Sequence, residues 1–219
     1  MQQKPDVLLS DLDGVYVDWA QGFVNYMESI GIKALHANPT IFSMTDIFPQ
    51  VEKPWLHILD YQQSEFYAQV KAYEGAREAY QALVDGGVTI IAVSSCGLDE
   101  QTVRSRTAMI ESEGVFSDMV LLDLGASKLD VLKKFSRSAF IDDQPVVAME
   151  GQEAGHVSIL HSMPYNLDAN MPKIARVESL NEIGVMMKPQ YPVLSQHNPS
   201  VSYSPDDVTE IVASMRRTR

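Results

Sequence analysis

Val7-Leu8-Leu9-Ser10-Asp11-Leu12-Asp13-Gly14-Val15 is the stretch on which the fold turns. Its first four residues form an apolar run that ends on a hydroxyl, the pattern of a short strand buried on both faces. The polar cluster that follows reads as a tight turn, and Gly14 permits the compact backbone it needs. A strand covered on both sides requires helices above and below it.

The rest of the chain supplies them. Gly75 to Asp85 places Ala76, Ala79, Tyr80 and Leu83 on one helical face, and Gly86-Gly87 ends that helix. Val88 to Val93 (VTIIAV) is a continuous β-branched run without alternation, which marks a second strand covered on both faces. Asp99 to Glu113 reads as a helix closed by Gly114, and Met119 to Leu122 as a third strand. Leu129 to Phe135 reads as a helix, Ala139 to Ile141 as a fourth strand and Val157 to Leu160 as a fifth. Strands alternating with helices predict an α/β fold with a mostly parallel sheet between two helical layers. In such sheets ligands bind along the edge formed by the strand C-termini.

Residues 19 to 74 break the alternation and are too long for an ordinary connection. They carry Trp19, Phe23, Tyr26, Phe42, Phe48, Trp55, Tyr61, Phe66, Tyr67 and Tyr73. We read them as a small, mostly helical insert over the site, in which most aromatics form the insert's own core. The predicted organisation is therefore a core of residues 1–18 and 75–185, an insert of 19–74, and an extension of 186–219. Within the extension, Ser204-Pro205-Asp206-Asp207 is a good helix start, with Arg216 and Arg217 suited to the other end. That terminal helix is free to pack on the body or to build a homo-oligomer.

Composition narrows the function. Hydrophobic residues are 45% and charged residues 21% of the chain, which fits an ordinary globular protein. No apolar run reaches the roughly 18 residues a membrane helix needs, and Met1 to Asp6 carry no signal-peptide pattern. The lone Cys96 has no internal partner for a disulfide, which suggests a reducing, cytoplasmic setting. The 29 acidic against 17 basic residues give a formal charge of -12, which disfavours duplex nucleic acid as a partner. A small phosphorylated molecule still fits if a metal and a local lysine reverse the field.

Four polar signals fall at strand ends or a helix start, where side chains can converge. Asp11 and Asp13 are two acids two residues apart after a buried strand. Asp11 could act as a carboxylate nucleophile toward phosphorus, and Asp13 as the acid and base for the leaving oxygen and water. The plainer alternative is a turn of solvated acids. Ser94-Ser95 follow VTIIAV, and their hydroxyls and backbone N–H groups could hold a phosphate oxygen; serines also commonly end strands. Lys128 follows Gly125-Ala126-Ser127 at a helix start, while Lys133 and Lys134 lie farther along and face solvent. Asp142-Asp143 close the fourth strand, where adjacent acids are costly without a compensating cation. Mg2+ would serve, with Asp142 coordinating directly and Asp143 in support, bonded to nearby backbone or to Lys128.

DLDGV, AVSS, Lys128 and FIDD, spread across residues 8 to 143, resemble the four motifs of the haloacid dehalogenase (HAD) superfamily. DLDGVYVDW and the later IDDQP…HSMPYN, with Pro164-Tyr165-Asn166 before a closing helix, further resemble the 5'(3')-deoxyribonucleotidase family. The interval from Lys128 to Asp142 is longer than in mammalian members. The resemblance implies a Rossmann-like three-layer sandwich with a helical cap inserted after the first strand. It implies magnesium held by Asp11, the backbone carbonyl of Asp13, and Asp142. It assigns the nucleophile to Asp11, the acid/base to Asp13, phosphate binding to Ser94 and Lys128, and support to Asp143. Cap aromatics would meet the base and sugar of a nucleoside monophosphate.

The reaction expected on this reading is hydrolysis of a phosphate monoester through a phospho-aspartate, with a 5'-nucleotidase as the leading form. A sugar-phosphate or polynucleotide-end phosphatase is the nearest alternative. A dehalogenase needs neither Asp13 nor Asp142. A phosphate-binding receiver or scaffold would not need Asp13.

Overall fold

The computed structural model describes residues 7–35 and 43–187. Six strands make one sheet: β1 (Val7–Ser10), β2 (Thr89–Ser94), β3 (Asp118–Leu121), β4 (Ala139–Asp142), β5 (Val157–His161) and β6 (Ala175–Val177). All neighbours run parallel, in the order β3-β2-β1-β4-β5-β6. The apolar runs explain the layering. Along β1 and β2, Leu8, Ile90 and Ala92 face one core, while Val7, Leu9, Ile91 and Val93 face another. Period-two side-chain alternation thus feeds two hydrophobic layers from strands that read as unbroken apolar runs.

Nine α-helices are described: α1 (Trp19–Ser29), α2 (Met44–Ile47), α3 (His57–Gln62), α4 (Glu65–Ala68), α5 (Ala76–Asp85), α6 (Glu100–Glu113), α7 (Leu129–Leu132), α8 (Pro145–Glu153) and α9 (Ile183–Met186). Ala76, Ala79, Tyr80 and Leu83 of α5, Met109 and Ile110 of α6, and Ile183 of α9 cover the first face. Val131 and Leu132 of α7, with Val147 of α8, cover the second. The three-layer α/β sandwich predicted from the sequence is therefore the fold.

Local signals set the ends. Asp99 caps α6 by accepting from the Thr102 N–H at 3.0 Å, and Gly114 closes it with φ +68°. Two elements, α8 and β6, escape sequence periodicity. In α8 the reason is Gly151, which reads as a helix breaker. A Cβ there would sit 2.2 Å from the Phe140 ring, so the glycine is what lets α8 lie close against β4. Strand β6 is only three residues long. The helix expected over Leu129 to Phe135 is regular only to Leu132. Pro164–Asn166 form a single 3-10 turn, with β6 between it and the closing α9. The terminal helix expected from Ser204 lies outside the described residues.

Helices α1 to α4 build the insert between β1 and α5. Phe23, Val24, Met27, Phe48, Tyr61 and Tyr67 form its own buried core, with Trp19 and Tyr26 packed against it. Trp55 and Phe66 are exposed. No helix among the described residues is long and apolar enough to cross a membrane.

Candidate active site

The sheet order reverses direction between β1 and β4, and the crevice beyond their C-termini is where a doubly wound sheet gathers ligands. Asp11 follows β1, and its backbone N–H donates to the Ile141 carbonyl at 3.0 Å, which seats it beside the end of β4. Asp142 is the last residue of β4 and is fully buried. Between them lies the buried Lys128, whose Nζ is 2.8 Å from Asp11 Oδ1 and 2.8 Å from Asp142 Oδ2. The Lys128 backbone N–H donates to Glu150 Oε2 of α8 at 2.8 Å, which anchors the loop that carries it. Lys133, by contrast, pairs with Glu153 on the surface at 3.2 Å, and Lys134 is exposed.

Asp143 completes a cluster. Asp11, Asp142 and Asp143 each offer a carboxylate oxygen, and these oxygens lie within 4.8 Å of one another. Asp143 Oδ2 accepts from the Tyr165 hydroxyl and from Gln144 Nε2 at 3.0 Å, side chains in place of the nearby backbone or Lys128 that the sequence suggested. Its backbone carbonyl accepts from Asn166 Nδ2 at 2.7 Å. Asp143 Oδ1 is buried and has no hydrogen-bond partner among the described residues. Burial pushes both Asp142 and Asp143 above the usual carboxylate range, and the crowding of acids adds to it while Lys128 opposes it. For Lys128, burial works against the charge, but the Asp11 and Asp142 carboxylates outweigh it and raise its pKa.

This donor set fits a hard divalent cation. All its ligands are oxygens, three carboxylates face one ammonium, and the orphaned Asp143 Oδ1 is the kind of atom that coordination would satisfy. Asp11, Asp142 and Asp143 would hold Mg2+, so Asp143, expected from the sequence only in support of Asp11, Asp142 and the Asp13 backbone carbonyl, stands here as a candidate ligand itself.

The carboxylate of Asp13 turns elsewhere. Its Oδ1 is ion-paired with Arg106 Nη2, and its Oδ2 accepts from Ser94 Oγ at 3.4 Å. Desolvation raises the Asp13 pKa, with Arg106 acting against that rise. Gly14 adopts φ +84°, and a Cβ there would lie 2.6 Å from the Asp143 carboxyl carbon. Only glycine lets the turn pass this close to the acid cluster. The Gly14 carbonyl is met by His161 Nδ1 at 3.0 Å. Ser95 Oγ donates to the Ala126 carbonyl at 2.7 Å, tying the β2 loop to the Lys128 loop.

A cavity of about 450 Å³ opens onto these groups. Asp11, Asp13, Ser94, Ser95, Lys128, Asp142 and Asp143 all line it, so every residue singled out from the sequence reaches one space. Trp19, Ala20, Met44 and Ile58 of the insert line it as well, with Gln62 and Tyr73 as the polar members.

Arg106 was not singled out from the sequence, and Tyr165 was quoted there only within the Pro164-Tyr165-Asn166 resemblance, with no role. Arg106 has a usable signal, because it falls on the buried Thr102, Ser105, Arg106, Met109, Ile110 face of α6. A charge at a core position of a helix demands a partner. For Tyr165 the motif gave the residue but not its partner, since its meeting with Asp143 is set by the path of the chain after β5.

No protein-family model matches the chain, and no curated protein matches it. Solved structures do resemble it. One is described as a "predicted phosphatase" from Clostridium acetobutylicum, at TM-score 0.60 and 16% identity over 84% of this chain and 99% of that one. Another is YfnB from Bacillus subtilis, assigned to the HAD hydrolases and bound to magnesium, at TM-score 0.57 and 14% identity over 85% of this chain and 100% of that one. A third is described as a "predicted phosphoglycolate phosphatase" from Haemophilus somnus, at TM-score 0.55 and 14% identity over 86% and 100%. At these identities the likeness is one of fold, and the fold is that of proteins described as HAD hydrolases and phosphatases.

Proposed function

We propose that this chain is a magnesium-dependent phosphate monoester hydrolase of HAD type. Residues 1–18 and 75–185 form its catalytic core and residues 19–74 its cap. The observation that carries this reading is Asp11 at the β1–β4 crevice, sharing Lys128 with Asp142, with Asp13 two residues on.

The Leu12 N–H and Lys128 Nζ both contact Asp11 Oδ1, each at 2.8 Å. That leaves Oδ2 to attack phosphorus. As its bond to phosphorus forms, the bond from phosphorus to the leaving oxygen breaks, and Asp13 passes a proton to that oxygen. Asp13 then takes a proton from water, whose oxygen attacks the phospho-aspartate. Inorganic phosphate leaves and Asp11 is restored. Lys128 holds the phosphoryl oxygens throughout, and the Ser94 and Ser95 hydroxyls join it by turning from Asp13 Oδ2 and the Ala126 carbonyl, to which they donate without substrate. A magnesium ion on Asp11, Asp142 and Asp143 would neutralise phosphoryl charge when bound.

The cavity supports a substrate with one phosphate and a flat, largely neutral leaving group. Among the described residues Lys128 is the one cationic side chain lining it, so a second anionic group finds no partner there. Trp19, Met44 and Ile58 offer apolar surface of the sort a nucleobase covers. This favours a nucleoside monophosphate. A sugar phosphate is the second reading, favoured by the fold shared with a Bacteroides vulgatus protein described as a "putative beta-phosphoglucomutase". A cytoplasmic setting accords with the single, buried Cys96.

The test is phosphate release from a panel of ribo- and deoxyribonucleoside monophosphates, sugar phosphates and an aryl phosphate, with Mg2+ and with chelator. Chelator should abolish turnover. Flat activity across the panel removes the nucleotide assignment, and no release from any member removes the phosphatase.

A further inference from the structure

We infer that Arg106 is a positioning residue that sets Asp13 for proton transfer, an inference that rests on the phosphatase reading above. Arg106 is 1% exposed and does not line the cavity, so it does not touch substrate. A guanidinium so buried is unfavourable unless paired. Its ionic partner is Asp13 Oδ1, and its guanidinium carbon sits 4.1 Å from the centre of the Tyr67 ring in the insert. Tyr67 is itself 1% exposed, so the guanidinium is held from behind by a wall that cannot readily yield.

The pairing fixes one carboxylate oxygen and thereby orients the other. With Oδ1 engaged by Arg106, Oδ2 lies on the Ser94 side, and Asp13 and Ser94 both line the cavity. In the first step the proton leaves Asp13 for the departing oxygen as the bond from phosphorus to that oxygen breaks. The carboxylate left behind is already beside a guanidinium, so no rearrangement is needed to receive its charge. In the second step the same oriented carboxylate takes the proton from water. A salt bridge that only filled the space under the insert would affect every substrate alike. A bridge that orients the general acid matters most where the leaving group cannot depart without a proton.

That difference is the test. Arg106→Met and Arg106→Lys are compared with wild type on an alkyl phosphate, whose alkoxide needs protonation, and on p-nitrophenyl phosphate, whose phenolate departs unaided. The quantity is kcat/KM, which ends at the first irreversible step and so excludes the later water step. Arg106→Met should lower kcat/KM by ~10²-fold on the alkyl phosphate and by less than ~3-fold on the aryl phosphate. Arg106→Lys should recover about tenfold of the alkyl loss. An equal fall on both substrates, or no fall on either, overturns the inference. Should Arg106→Met fail to fold by its melting curve, Arg106→Lys carries the same comparison. An alkyl-to-aryl ratio equal to that of wild type then overturns it. A wild-type protein inactive on both substrates removes the phosphatase reading itself, a result distinct from the equal fall.

Discussion

At the sheet edge, Asp11, Lys128, Asp142 and Asp143 are ionisable yet each less than a tenth exposed. Across the cavity the insert presents Trp19, Ala20, Met44 and Ile58, and its buried interior is a stack of rings. The edge therefore holds charge where burial opposes it, and the insert buries what water already excludes. The first arrangement is unfavourable for folding and has purpose only if the charges react or bind. The second is an ordinary hydrophobic core with one face turned to the cavity. The contrast assigns chemistry to the edge and fit to the insert, and each side of that assignment can be broken separately.

The largest effect should come from the edge. Asp11→Asn removes the attacking oxygen while keeping the side chain's shape, and kcat should fall by at least ~10⁴-fold. Asp13→Asn keeps the nucleophile but removes the acid and base, so its loss should be ~10²–10⁴-fold. Rates from single-turnover phosphate release check both. Near-normal turnover by Asp11→Asn would place the chemistry somewhere other than the β1 turn.

Next in size is the stability that the buried acids withhold. Burial lifts the Asp142 pKa up to about 7 from the ordinary 3.8, with Lys128 opposing and Asp11 adding. Between those values the folded chain binds more protons than the unfolded chain. The contribution of Asp142 to the stability of the metal-free protein is therefore fullest below pH ~4 and is lost as pH rises toward ~7, by an amount of the order of a few kcal/mol. Thermal melts in chelator should show Tm falling across this window. Asp142→Asn should flatten the slope, and Mg2+ should restore Tm most at the neutral end. A metal-free Tm that rises between pH 5 and 7 with the same slope in Asp142→Asn contradicts the buried-charge account.

These two regions also differ in how far the sequence discloses them. Strands β1, β2 and β4 announce themselves because a strand buried on both faces has no room for polar residues, so VLLS, TIIAV and AFI are nearly pure apolar runs. The candidate reactive residues follow at once, because an acid after such a run has few places to go but the sheet edge. Lys128 is legible for the same reason, at the start of α7. Arg106 is visible only as a misplaced charge on a buried helix face, and its partner is 93 positions away. The Tyr165–Asp143 contact depends on a single 3-10 turn after β5, and α8 is hidden by Gly151, whose role is to approach Phe140. Inside the insert, pattern gives the aromatic cluster but not which ring faces the cavity. That choice is made by how short helices pack, which no local period records.

Trp19 is where the insert's half of the contrast is exposed to test. It opens α1, lies nearly parallel to Phe23 with ring centres 5.2 Å apart, and meets Tyr61 edge-on at 5.5 Å, while also lining the cavity. Its packing on those rings holds it in place without help from substrate, so it is a preformed surface rather than a reacting one. A leaving group resting on such a surface gains the contact equally in the ground state and at the transition state. Removing it should then raise KM and spare kcat. For Trp19→Ala we expect KM to rise about tenfold, or ~1.4 kcal/mol, for the preferred nucleoside monophosphate, with kcat within ~3-fold. A small alkyl phosphate that cannot span the cavity should keep its KM. If Trp19→Ala instead lowers kcat on both substrates as far as Asp13→Asn does, the insert is taking part in the chemistry. The division between a charged edge that reacts and an apolar wall that selects would then be wrong.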